Sequence, residues 1–271
     1  MPEGPVTGGT YSVELLYERA PSLDERVVAA VKASRPGAEV VRSGPIVAFH
    51  HDVPVHGEIP AQTAILATDE TYDPETLAPD LQQTWDWPEA ATAAVRARSS
   101  VLVTDFMSSS LERATRLRIF LEVLSACVQA TDPIALRWDA ANKLVSPTDL
   151  LEVMRAADPT RMARLAFNVR LFEVPERPDE IVMDTRGLAE FMLPDFQVHF
   201  RELEPTAIAG VLYRSALYVW AEGDIIDDGS TIEGLLPSER WRCRHERALV
   251  GPDRTVLDVE PGPPFAAGHR G

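Results

Sequence analysis

The sequence predicts an α+β protein, and two observations carry that prediction. Segments of period two and segments of helical period are mixed along both halves of the chain. A chain of 271 residues at 45% hydrophobic and 25% charged also has enough apolar material for a substantial core. The elements follow in a readable order. Tyr11–Tyr17 reads as a strand. Ser22–Ser34 reads as a helix, with Ser22 and Glu25 placed as a capping box and Val27, Val28 and Val31 on its apolar face. Pro45–His51 and Ala61–Thr68 read as strands, a Pro-interrupted helical stretch follows, and Val101–Phe106 is a short buried strand. This is the β-α-β-β-α-β order of a ferredoxin-like split βαβ unit.

The clearest helix runs from Leu111 to Gln129, with Leu117, Phe120, Leu121, Leu124 and Val128 at helical spacing and Ser109/Glu112 as a second capping box. A strand at Ala135–Trp138, a turn at Asp139–Lys143 and a helix from Pro147 complete this half. Ala156–Met162 marks a boundary. Strands are then expected at Leu165–Phe172, Glu180–Asp184 and Phe196–Arg201, an apolar helix at Pro205–Trp220, turns at Gly223 and Gly229, and closing strands at Trp241–Arg247 and Thr255–Val259. The expected organisation is a loose terminus at 1–10, a ferredoxin-like half at 11–157, a second mixed half at 163–260 packed against it, and a loose Gly/Pro-rich tail at 261–271 that includes His269.

Charge narrows the partners. The net charge is −16, the pI is near 4.8, and both halves share the acidity. Such a surface repels phosphate backbones and anionic lipid, so neither nucleic acid nor membrane is the expected partner. The charge is read first as serving solubility, and otherwise as favouring a basic protein partner or a cationic ligand. Lysine occurs only at Lys32 and Lys143, the rest of the 26 basic side chains being arginine. Neither lysine is expected to be buried enough for a depressed pKa. The two cysteines, Cys127 and Cys243, make no disulfide framework. Cys127 is expected on the apolar face of its helix, and Cys243 among arginines that would lower its pKa. No signal peptide or membrane-spanning run is visible, which places the chain in the cytoplasm.

Candidate chemistry concentrates between Asp184 and Gly234. On the strand Phe196–Arg201, Asp195, Gln197 and His199 share one face, about 7 Å apart from the ~3.4 Å rise per residue. An Asp and a His there suit a metal site only with further ligands that the spacing does not provide, so no metal and no cofactor are expected. Asp224, Asp227, Asp228 and Glu233 resemble a calcium loop only superficially, and Asp228-Gly229 reads first as a turn. His50, His51, Asp52 and His56 match no zinc spacing. Cys243, His245 and Trp241 share a strand face, which fits a thiolate pair or packing. The Ser108–Ser110 run before Arg113, Arg116 and Arg118 reads as an anion site or as the solvated side of a helix, with Arg118 paired to Glu122. Nucleophile-elbow, phosphate-loop and dinucleotide patterns are missing.

One resemblance is visible in the same stretch. The runs D-T-x-G-L from Asp184, L-P-D-x-Q-x-H-F from Leu193, L-Y-x-x-A-x-Y from Leu212 and D-G-x-T-x-E-G from Asp228 resemble a bacterial family of unknown function, the one numbered 4261. The likeness covers the C-terminal third, more loosely the first half, and implies a bacterial cytoplasmic protein with no established activity.

Two functions follow as expectations. The first is a non-catalytic binding protein, adaptor or immunity-like, with Gln197, Asp227, Asp228, Thr231 and Glu233 as binding candidates. The alternative is a hydrolase or ligand sensor with His199 as base, Asp184 and Asp195 as its candidate catalytic partners, and Gln197 and Glu233 completing the site. A purely structural role for the polar motif is compatible with the first.

Overall fold

The computed structural model describes residues 10–57, 59–68 and 71–268, with the side chain of His56 excepted. Residues 1–9 of the expected loose N-terminus, and His269, lie outside the described residues. The chain is mixed α+β, and the described residues fall into two compact units, one within Gly8–Ala166 and one within Phe167–Gly271.

The first unit is built on one antiparallel sheet. Its strands are β1 (Ser12–Tyr17), β2 (Glu39–Ser43), β3 (Ile46–His56), β4 (Ile59–Ala67), β5 (Ser99–Phe106), β6 (Ala135–Trp138) and β7 (Lys143–Val145), in the order β2-β3-β4-β5-β1-β6-β7. The expected ferredoxin-like arrangement does not hold. A ferredoxin-like βαββαβ unit places its first strand between its third and fourth, here β4 and β5, whereas β4 pairs directly with β5 and β1 lies on the far side of β5, next to β6. Gly44, at φ +56, turns β2 straight into β3, and β3, β4 and β5 then pair in succession, the last pair across a long connection that contains short helices. The strand β2 was not expected, because it is largely exposed and shows no clean alternation.

Helices cover both faces of this sheet. They are α1 (Glu25–Ser34), α2 (Ala78–Leu81), α3 (Ala90–Ala94), α4 (Arg113–Thr131), α5 (Pro147–Ala156) and α6 (Pro159–Ala166). Along β1 the side chains alternate, so Tyr17 and Leu16 point to opposite faces. Tyr17 meets α4 through a 2.8 Å hydroxyl pair with Thr131, and α1 packs on α4. Leu16 instead joins Leu77, Ala90, Ala94, Ala97 and Leu144, where α2 and α3 lie. Small alanines there let short helices sit close to the strands. Both expected capping boxes shift by a few residues. Asp24, not Ser22, accepts from the Arg26 N–H to start α1, and Glu112, not Ser109, accepts from Ala114 and Thr115 to start α4.

The second unit holds β8 (Asn168–Val174), β9 (Arg177–Arg186), β10 (Asp195–Arg201), α7 (Pro205–Glu222), β11 (Thr231–Glu233), β12 (Arg240–Arg247) and β13 (Thr255–Glu260). The sheet order is β11-β12-β13-β10-β9-β8. Only β10 and β13 run parallel; their neighbours are antiparallel. Leu165 and Ala166, expected to open β8, close α6 instead. Met183, Val198, Phe196 and Leu257 share one sheet face by register, and the apolar α7 packs along β8, β9 and β10. The opposite face is polar.

Residues 261–268 fold back onto this unit where a loose tail was expected. Arg201 N–H donates to Phe265 O (2.9 Å) and Ala267 N–H to His199 O (3.1 Å), so the tail continues beside β10 where β13 ends. Ala267 is fully buried. Among the described residues no helix is long and apolar enough to cross a membrane.

Candidate functional site

The register places a polar row across the sheet. Arg170 on β8 pairs with Asp184 on β9, Asp184 with Gln197 on β10, and Gln197 with Asp258 on β13. Directly opposed residues project to the same face, so all four meet. Arg170 makes a fork onto Asp184, with Nε to Oδ1 at 2.9 Å and Nη2 to Oδ2 at 2.6 Å. The β12–β13 loop lies on the row. Its Leu249 N–H donates to Gln197 Oε1 (2.9 Å), its Gly251 carbonyl accepts from Arg170 (3.0 Å), and Gln197 donates to Asp258 (3.1 Å).

Arg254 ends that loop and closes the network. Its Nη2 donates to Asp184 Oδ2 (2.7 Å) and Thr185 O (3.0 Å), and its Nε to Asp195 Oδ2 (3.1 Å). The other oxygen of Asp195 accepts from the Thr185 hydroxyl (3.0 Å) and Leu188 N–H (3.2 Å), while Thr185 Oγ1 accepts from Phe196 N–H (2.8 Å). Burial pushes the Asp195 carboxyl above its ordinary range, Arg254 opposes that rise, and the Asp184 charge adds to it. Asp184, Thr185 and Gln197 are fully buried. Three of the sequence-predicted site residues, Asp184, Asp195 and Gln197, therefore converge, but on two arginines and a loop.

His199 is on the same face but points into a different neighbourhood. Its Nε2 lies 2.9 Å from Glu180 Oε2. Burial would raise the Glu180 carboxyl, yet hydrogen bonding and charge from Arg177, with His199 and Arg201, hold it below its ordinary range. The tail closes over the ring: a Cβ on Gly268 would stand 2.7 Å from His199 Nδ1, and φ of +80 there also favours glycine.

The four residues flagged near β11 divide. Asp228 Oδ1 accepts from His245 N–H (2.7 Å) and stands 2.8 Å from His245 Nδ1, and these contacts lower its pKa. Asp227 accepts from Ser230 N–H in the turn that the sequence predicts. Thr231 and Glu233 instead line a cleft of about 420 Å³ between α7 and β11, with Arg214, Tyr218, Ile225, Ile226 and Ile232 on its walls. Arg214 is tethered there by donating to Gly234 O (3.1 Å). Gly234 is required because a Cβ would fall 2.5 Å from Trp241 Nε1. Glu233 on β11 is separated from β10 by β12 and β13, so it does not join Asp184, Asp195, Gln197 or His199.

Residues 184–260 match a domain of unknown function, DUF4261. No curated protein and no solved structure matches the chain. The DUF4261 match starts within β9 and ends with β13, so it contains Asp184, Gln197, Arg254 and Asp258 but not Arg170. It also contains both walls of the cleft.

Other predicted candidates resolve outside the DUF4261 match or away from its polar row. His51 is buried. Arg35 Nε donates to His51 Nδ1 (3.1 Å), and since arginine only donates, His51 Nε2 carries the hydrogen toward Thr63 Oγ1 (2.9 Å). Desolvation, reinforced by Arg35, pushes its pKa down to about 4. Arg116 is not on a solvated face: it forks onto the buried Asp105 at 2.6 and 3.1 Å. Arg118 does reach Glu122, at 3.4 Å. Cys243 differs from expectation, because burial pushes its thiol up to about 11 despite the nearby arginines. Lys143 also differs: it is buried, donates to Arg164 O (3.0 Å), and desolvation brings it down to about 8. Among the described residues no group of three His, Cys, Asp or Glu is placed to hold a metal ion.

Proposed function

We propose that this is a non-catalytic binding protein of the bacterial cytoplasm, adaptor or immunity-like, that engages a basic protein partner. One observation carries the reading. The carboxylates of the polar motif are spent on Arg170 and Arg254, so the motif holds the β12–β13 loop in place while the cleft by β11 stays open. A buried carboxylate with its lone pairs occupied by fixed donors is poorly suited to proton transfer. The net charge of −16 supports a cationic partner through long-range steering. The hydrolase reading has less support, since Glu233 is remote from His199 along the sheet. The test is native mass spectrometry of the tagged full chain purified gently from its own host. A basic protein should co-purify at low salt and be lost near roughly 0.5 M salt, where the Debye length falls to a few ångströms. Recovery of no partner, or of one indifferent to salt, overturns the proposal.

A further inference from the structure

The loop that joins β12 to β13 is held more firmly than a surface connection requires. Three successive carbonyls accept from two guanidinium groups. Val250 O accepts from Arg254 Nη1 (3.2 Å), Gly251 O from Arg170 Nη2 (3.0 Å) and Pro252 O from Arg254 Nη1 (3.0 Å). Ala248 N–H donates to Arg254 O (2.9 Å), and Leu249 N–H to Gln197 Oε1 (2.9 Å). Water ordinarily satisfies the carbonyls of an exposed loop. Here Arg170, buried, and Arg254, nearly so, are held against the sheet with Asp184 and Asp195 as counter-charges. Desolvation opposes such an arrangement, and what it secures is a single conformation of the loop.

What this loop shows to solvent is apolar. From Ala248 to Pro252 it reads ALVGP, without a charge, in a chain that is 25% charged. Leu249 is 55% exposed, Gly251 and Pro252 are exposed, and Val250 is half-buried. The charges that flank the run cancel, because Arg247 and Asp253 pair with each other at 2.5 Å.

We propose that residues 248–252 form a pre-ordered binding loop, and that Leu249 enters an apolar pocket on the protein's partner. The uncharged run and its neutral flanks match an apolar pocket and not a charged one. A membrane is the other apolar environment, and the net charge of −16 opposes anionic lipid. A loop already fixed in one conformation pays little ordering entropy on association, and an exposed leucine on it serves as an anchor. This rests on the binding reading above and gives it a contact surface. The overall charge speeds the approach, and the loop holds the complex once formed.

The experiment uses the full chain, immobilised, and the basic protein that co-purifies with it, produced separately and followed by surface plasmon resonance. Leu249→Asp should dissociate about tenfold faster or more, the scale of an apolar anchor lost from an interface. Leu249→Met should bind as the unaltered chain does. So should Leu236→Asp, at a leucine 64% exposed on the β11–β12 turn. Raising salt should slow association and leave dissociation nearly unchanged. In the free chain the amide of Leu249 should exchange slowly with deuterium, because the loop is ordered before it binds. Leu249→Asp dissociating as slowly as the unaltered chain overturns the binding loop, and so does rapid exchange at Leu249 in the folded free chain. Phosphatidylglycerol vesicles that bind the unaltered chain but not Leu249→Asp overturn it too, and reassign the loop to a membrane. Leu249→Ser is read in the same way if Leu249→Asp fails to fold. A partner that holds every variant equally overturns the loop and spares the binding reading; absence of any partner overturns both.

Discussion

At Asp195 burial and charge pull in opposite directions. Desolvation raises the carboxyl, and Arg254 at 3.1 Å keeps it tolerable as an anion. Arg254→Met removes the cation shared by Asp184 and Asp195. Breaking one side of a buried ion pair costs about 3–5 kcal/mol, and urea unfolding followed by tryptophan fluorescence measures it. The deficit should shrink as pH falls, because protonating the abandoned carboxyl removes the buried charge. A deficit constant with pH would mean that packing, not charge, is lost. His51 has the opposite dependence. Folding lowers its pKa from 6.5 to about 4, so the unfolded chain binds the proton more tightly. Its contribution is full above pH 6.5 and declines as pH drops toward 4, by on the order of 2 to 3 kcal/mol. His51→Gln should flatten that part of the stability profile, and an unchanged slope would show that other groups set it. Asp184, Asp195, Gln197 and His199 were legible as a cluster because they alternate along one strand or flank it. Arg170, Arg254 and Asp258 were not, because they come from separate strands and a loop, and a lone Arg in a loop has no local signature of its distant partner.

The elements show where local pattern is a good guide and where it fails. The helix α4 was visible because five apolar residues repeat at its period, and all five are buried. The pairing of β1 was not, because a βαββαβ order is compatible with several strand orders, and the direct pairing of β4 with β5, which leaves β1 between β5 and β6, rests on contacts far apart in sequence. The tail was misread for a related reason. Its Pro and Gly content matches a linker, yet Phe265, Ala266 and Ala267 supply apolar contact and hydrogen bonds at the free end of β10. Truncation after Glu260 removes those bonds and uncovers His199. The truncated chain should unfold at lower urea concentration, and the amide of Arg201 should exchange with deuterium faster than in the full chain. Unchanged exchange at Arg201 would mean that the tail adds nothing to β10. The cleft by β11 was half legible: Thr231 and Glu233 were flagged, while Ile225, Ile226 and Ile232 passed as ordinary turn and strand residues.

For the whole molecule the decisive quantity is charge. The exposed ion pairs Arg26–Asp24, Arg42–Glu25 and Arg247–Asp253 are solvated on both sides, and pairs of that kind add little to stability. Against them stands a net charge of −16 that repels itself across the surface. Salt screens both, but the repulsion acts among many charges at long range, where screening is strongest. The buried pairs Arg116–Asp105 and Arg170–Asp184 are shielded from ions and should not respond. Raising salt from about 20 to about 300 mM, across which the Debye length shortens severalfold, should therefore raise the melting temperature of the isolated chain. The same titration should weaken capture of the proposed basic partner, because there the acidic surface attracts. Opposite trends from one variable are what a uniformly acidic binding surface requires. A melting temperature that falls with salt would show that the surface pairs outweigh the repulsion, and would remove the argument that the charge is held in reserve for a partner.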